Sequence, residues 1–92
     1  MVIYVKNCVS SCDTNPQGDA LYNCIFSHLK TSTPVIVNFG GMENVTSSFV
    51  NSSFVELASH FGADKVKRLV KIESANRQIA NMIKERMAKE FA

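Results

Sequence analysis

A chain of 92 residues, 46% hydrophobic and 20% charged with only two prolines, has the size and composition of one small globular domain and excludes a disordered or fibrous protein. Its formal net charge of +2 is too small to predict a nucleic acid, a membrane or an acidic substrate as partner. Three cysteines with no even framework and no signal-peptide pattern predict free thiols in a reducing cytoplasm, and no apolar run approaches the length that spans a bilayer.

The first predicted element is a strand at Val2-Ile3-Tyr4-Val5, where β-branched and aromatic residues crowd together ahead of Lys6-Asn7. Ser10 to Gly18 is dense in turn formers and reads as a loop. A helix is expected from about Asp19 to Lys30, because Leu21, Cys24, Ile25 and Leu29 recur at three- and four-residue spacing and Thr31-Ser32-Thr33-Pro34 stops the run. Val35-Ile36-Val37-Asn38-Phe39, bounded by Pro34 and Gly40-Gly41, reads as a central strand covered on both faces. Thr, Ser, Val and Phe between Val45 and Phe61 are poor helix formers, yet Val50, Phe54, Leu57, Ala58 and Phe61 fall on one helical face. The spacing therefore predicts a helix from about Ser47 to His60, ended by Gly62. Leu69-Val70-Lys71-Ile72 is a short strand, and Ala75, Ile79, Met82, Ile83 and Met87 trace a final helix with Ser74 as its cap and Arg77, Lys84, Glu85 and Arg86 opposite. Alternation of strand and helix predicts an α/β fold in two or three layers, with a mainly parallel or mixed sheet packed against helices in a single domain, 1–92.

From Asp64 onward eight Lys or Arg stand against four acids, so the last third is a basic face. Glu85 and Glu90 interrupt it and no aromatic residues interleave, which favours a solvated helix surface over a nucleic-acid site. Cys8 and Cys12 lack the second ligand pair that a zinc site needs, Cys24 belongs to an apolar stripe, and neither His28 nor His60 has an obvious acid or nucleophile beside it. Gly40-Gly41 lacks the spacing and the Lys-Ser or Lys-Thr of a phosphate loop and serves as a turn. No metal, cofactor or catalytic residue is expected. Tyr22, Phe26, Phe39, Phe49, Phe54, Phe61 and Phe91 are assigned to packing, except that Phe49 lies off the main helical face and is a candidate exposed anchor for a partner.

The segment from Val35 to Phe49 carries the most information: an apolar strand ending in Asn38-Phe39, a Gly-containing turn, a hydrophobic residue, then Thr46-Ser47-Ser48-Phe49 opening an apolar helix. This pattern resembles the small STAS-like domains of unknown function, which are in turn similar to the anti-sigma factor antagonists of bacteria. In the antagonists the corresponding loop holds Asp-Ser-Ser-Gly or Asp-Ser-Thr-Gly, and a partner ATPase of the histidine-kinase type phosphorylates the serine after the aspartate. The resemblance implies Ser47 as phosphoacceptor and Ser48 as the position after it, while Thr46 stands in place of the aspartate and Phe49 in place of the glycine.

Independently of that resemblance, a helix N-terminus offers unpaired N–H groups and positive dipole that would hold a phosphate, whereas the plain alternative makes Thr46 or Ser47 an N-cap. The sequence thus predicts a cytoplasmic, non-catalytic regulatory module that binds a protein, with Asn44, Thr46 and Phe49 as contact candidates and Ser47 and Ser48 as phosphoacceptor candidates. The partner implied is a histidine-kinase-type ATPase or signalling protein. The alternatives are a constitutive homo-oligomeric assembly subunit and, ranked lower, nucleic-acid binding through the basic last helix.

Overall fold

The computed structural model describes residues 1–91 and the side chains of residues 1–89. Three parallel strands, β1 (Val2–Tyr4), β2 (Val35–Asn38) and β3 (Val70–Glu73), make one sheet in the order β1-β2-β3, so the most apolar strand is central. Val2 pairs with Ile36, Tyr4 with Asn38, Val35 with Val70 and Asn38 with Glu73. Every strand lies beside its predecessor, and right-handed crossovers that always step the same way carry their helices over the same face of the sheet.

That face holds the core. Ile3, Val35 and Val37 of the sheet, Leu21, Ile25 and Leu29 of helix α2 (Asn15–Lys30), and Phe49, Phe54 and Leu57 of the following helical segment belong to one buried cluster. Helix α6 (Arg77–Phe91) closes it with Ile79 and Met87, and Arg86, expected on the solvent side, instead donates from Nε to Asn51 Oδ1 at 2.9 Å. The other face carries exposed Val2, Tyr4, Lys71 and Glu73 and half-buried Ile36 and Asn38. The fold therefore has two layers, and β2 is covered on one face rather than on both.

Several boundaries differ from the sequence reading for identifiable reasons. Val5 opens a single helical turn, α1 (Val5–Cys8), in place of ending the first strand. Helix α2 begins four residues before Asp19, because the turn formers of the expected loop are also good starting residues for a helix. Thr14 Oγ1 accepts from the Gln17 N–H at 3.4 Å, Gln17 Oε1 accepts from the Thr14 N–H at 3.1 Å, and Pro16 sits in the first turn, where its missing donor costs nothing.

The helix expected near Ser47–His60 is present as one continuous run: α3 (Ser47–Val50), a π-helical stretch (Asn51–Val55) and α4 (Glu56–Phe61). Ser52 Oγ donates to Ser48 O at 3.0 Å and Ser53 Oγ to Phe49 O at 2.7 Å, occupying carbonyls that backbone N–H groups would otherwise take and widening the turn. Gly62, at φ 94°, ends the run, and an unexpected helix, α5 (Ala63–Leu69), follows. Asp64 in its first turn and Lys67 and Arg68 in its last suit the helix dipole, while Val66 and Leu69 turn inward. Ser74 does not cap α6. It adopts φ 55°, and Asn76 Oδ1 accepts the Ile79 N–H at 2.9 Å instead.

Candidate functional site

The loop between β2 and α3 emerges at the carboxyl ends of the parallel strands, the end where open α/β sheets place their ligands. Its course is fixed by hydrogen bonds from both sides. The Phe39 N–H donates to Glu73 O at 2.9 Å, and the Gly40 N–H folds back on Asn38 Oδ1 at 2.7 Å, after which Gly41 turns the chain with φ 86°.

Beyond the turn, Asn76 Nδ2 donates to Glu43 O at 2.6 Å. Gln78 satisfies both backbone groups of buried Val45: its Oε1 accepts from Val45 N at 2.9 Å and its Nε2 donates to Val45 O at 2.9 Å. On the opposite side Thr46 N–H donates to Cys12 O at 3.0 Å and Thr46 Oγ1 to Asp13 O at 2.8 Å. The same Oγ1 accepts the Phe49 N–H at 3.2 Å, so Thr46 is the N-cap of α3 and ties that helix to the loop after α1.

This clamp determines where the candidate residues lie. Ser47 and Ser48 are exposed in the first turn of α3, where backbone N–H groups have no acceptor within the helix. Asn44 is exposed on the adjoining loop and Thr46 is half-buried, so these four residues form one continuous surface. Phe49 is not part of it. Its side chain is fully buried in the core, which removes it as an exposed anchor; its position off the main stripe reflects the π turn, which rotates the helical face before Phe54. Beside the loop, residues 10–13 and 41–44 enclose a cleft of about 230 Å³ lined by Asp13, Glu43, Asn44 and Cys12 among others. Asp13 and Glu43 bring two carboxylates to this cleft, and the Lys6 side chain runs beside Gly41 at its edge.

Sequence reasoning missed the residues that hold the loop. Asn76 and Gln78 act over 33 positions of sequence, and nothing local in Asn76-Arg77-Gln78 signals a long-range amide bond. The cysteines are also arranged differently from their spacing. The thiol beside Cys8 is Cys24 of α2, and burial together with that neighbour pushes the Cys8 thiol up to about 12. Cys12, buried and next to Asp13, is pushed up to about 11. Both shifts keep the Cys8 and Cys12 thiols protonated near neutrality, which disfavours them as nucleophiles. Phe39 and Phe54 are buried, and Tyr22, Phe26, His60 and Phe61 form an aromatic cluster with ring separations of 4.7 to 5.4 Å. Phe91 lies outside the described side chains. Among the described residues no helix is long and apolar enough to cross a membrane.

Residues 17–80 match the model of a family described as a STAS-like domain of unknown function, a span that takes in all but the first two residues of α2, the whole sheet except β1, the clamped loop and the start of α6. No curated protein and no solved structure matches the chain.

Proposed function

Because the chain belongs to the STAS-like domain family of unknown function, we propose that it is a non-catalytic regulatory module that binds a protein partner through the Gly40–Ser48 loop and is switched by phosphorylation of Ser47. The observation that carries this reading is the placement of Ser47 and Ser48: two exposed hydroxyls in the first turn of a helix whose entry is clamped by hydrogen bonds to Asp13, Cys12 and Gln78. A clamped loop presents the same hydroxyl geometry to every encounter, so little ordering entropy is lost on binding.

Thr46 cannot supply the negative charge of the aspartate that stands there in the antagonists. Its role is the cap, and the acids that flank the acceptor come from elsewhere, Asp13 and Glu43 lining the adjoining cleft. A partner reading the neutral loop therefore meets a mildly acidic surface. A phosphate on Ser47 adds about 1.5 to 2 negative charges beside it, which repels such a partner. An ATPase of the histidine-kinase type is the partner class that this arrangement suits. Ser48 is the second acceptor candidate, with its carbonyl engaged by Ser52 Oγ and its hydroxyl left open.

The test is affinity capture from the native host with wild-type, Ser47→Ala and Ser47→Asp proteins, read by intact mass and by partner identity. Loss of one partner with Asp but not Ala, with phosphate on the wild type, supports the switch. Identical partners and no phosphate in all three reject it.

A further inference from the structure

The face of the sheet away from the helices is bare. Val2 and Tyr4 are 41% and 45% exposed there, Met1 beside them is 64% exposed, and these three are the exposed large hydrophobics among the described residues. All-parallel sheets are found almost only with both faces covered, and here Val2, Tyr4 and Ile36 leave the β1 and β2 side of one face apolar. We propose that this face is the interface of a homodimer, covered by the same face of a second copy.

The choice of a second copy follows from the pattern of the face. Strand register puts Val2, Ile36 and Lys71 in one row and Tyr4, Asn38 and Glu73 in the other. Between them runs the row Ile3, Val37, Ile72, whose side chains point to the opposite, helix-covered side. A two-fold axis laid along that middle row, across the strands, exchanges the two outer rows. Val2 then faces Tyr4 of the second copy, Ile36 faces Asn38, and Lys71 faces Glu73.

Apolar residues meet at the β1 side of the stack and opposite charges meet at the β3 side, twice over because of the symmetry. Facing sheets stack about 10 Å apart, a gap that a lysine and a glutamate reaching from opposite sides can close. Within the described residues Lys71 and Glu73 make no ion pair of their own. A two-fold along the strands through the centre of the sheet would instead set β1 over β3 and place Val2 against Lys71 and Tyr4 against Glu73.

The size of the face sets the strength. Three strands spaced at about 4.8 Å and four residues of about 3.3 Å each give roughly 200 Å² of sheet. That is well below the roughly 800 Å² per partner of a standard stable interface, so the dimer is weak and concentration-dependent. The proposal does not rest on phosphorylation of Ser47, and it fails or stands separately from that reading.

Sedimentation velocity of the full chain over about a hundredfold concentration range, up to roughly millimolar, tests it. The expected result is a monomer–dimer equilibrium that Tyr4→Glu abolishes, with Val2→Lys as a second disrupting variant and circular dichroism to confirm that each folds. Lys71→Glu should weaken the dimer about tenfold, since two symmetry-related pairs change together, and Lys71→Glu combined with Glu73→Lys should restore it. A wild type that stays monomeric throughout overturns the proposal, as does a dimer unaffected by both Tyr4→Glu and Val2→Lys. Failure of the charge exchange to restore what Lys71→Glu removes overturns the two-fold arrangement.

Discussion

Replacing Gly18 by alanine tests how closely α2 rides on the π-helical stretch. A Cβ at this position would lie 2.6 Å from the carbonyl oxygen of Phe49 and would fall inside Ser52 Oγ. The serine can rotate away, but only by giving up its donation to Asn15 O at 3.1 Å and Ser48 O at 3.0 Å. The Phe49 carbonyl belongs to the backbone and already accepts from Ser53 Oγ at 2.7 Å, so relief requires α2 itself to back away by about 0.8 Å toward ordinary contact. Overpacking of this kind costs about 1–3 kcal/mol, and the lost serine bond adds about 1. Alanine returns about 1 kcal/mol through its better helix propensity. The net loss is about 2 kcal/mol, which in a domain of this size lowers the melting temperature by about 10 °C. Urea and thermal unfolding followed by circular dichroism measure it. Ser52→Ala, which should cost about 1 kcal/mol in the wild type, should cost almost nothing when added to Gly18→Ala, because the bond that it removes is already lost and the backbone clash remains. An alanine variant as stable as the wild type, or more stable, refutes the packing argument.

Thr46→Val should destabilise the protein by about 1–2 kcal/mol in denaturant unfolding, because it removes the cap of α3 and the bond to Asp13 O, whereas Ser47→Ala, exposed and outside that clamp, should change stability by less than about 0.5 kcal/mol. Gln78→Ala leaves both backbone groups of buried Val45 without their partner, so a loss of about 2–3 kcal/mol is expected together with faster hydrogen exchange at the Val45 amide. Alkylation of the native protein should accelerate only as pH approaches about 11 for Cys12 and about 12 for Cys8. The folded state keeps these protons where the unfolded chain releases them near 9, so stability falls as pH rises from about 9 toward 12. Stability that is flat over that window in the wild type, relative to a Cys8→Ala, Cys12→Ala variant, contradicts the assignment.

What the sequence made legible was whatever local pattern determines. The central strand, the stripe of α2 and the helical face from Val50 to Phe61 all follow from apolar spacing, and the alternation of elements settled the α/β class. The π turn escaped because its cause is a pair of serine hydroxyls competing for carbonyls within an unbroken helix, which leaves the apolar spacing nearly helical. That omission also misplaced Phe49, since a rotated face brings an off-stripe residue into the core. Helix α5 escaped because seven residues rich in lysine, between a glycine and a strand, offer only Val66 and Leu69 as periodic apolar positions. The surface made by Asn44, Thr46, Ser47 and Ser48 was legible as a motif, but the amides of Asn76 and Gln78 that hold it were not, because contacts over 33 residues leave no local trace.

Site-resolved mass spectrometry of the chain purified from its native host, with and without phosphatase treatment, tests the switch most directly. The expected result is a single phosphate that maps to Ser47 and is absent from the Ser47→Ala protein. Phosphate that maps only to residues outside Ser47 and Ser48, or none under any growth condition, contradicts it.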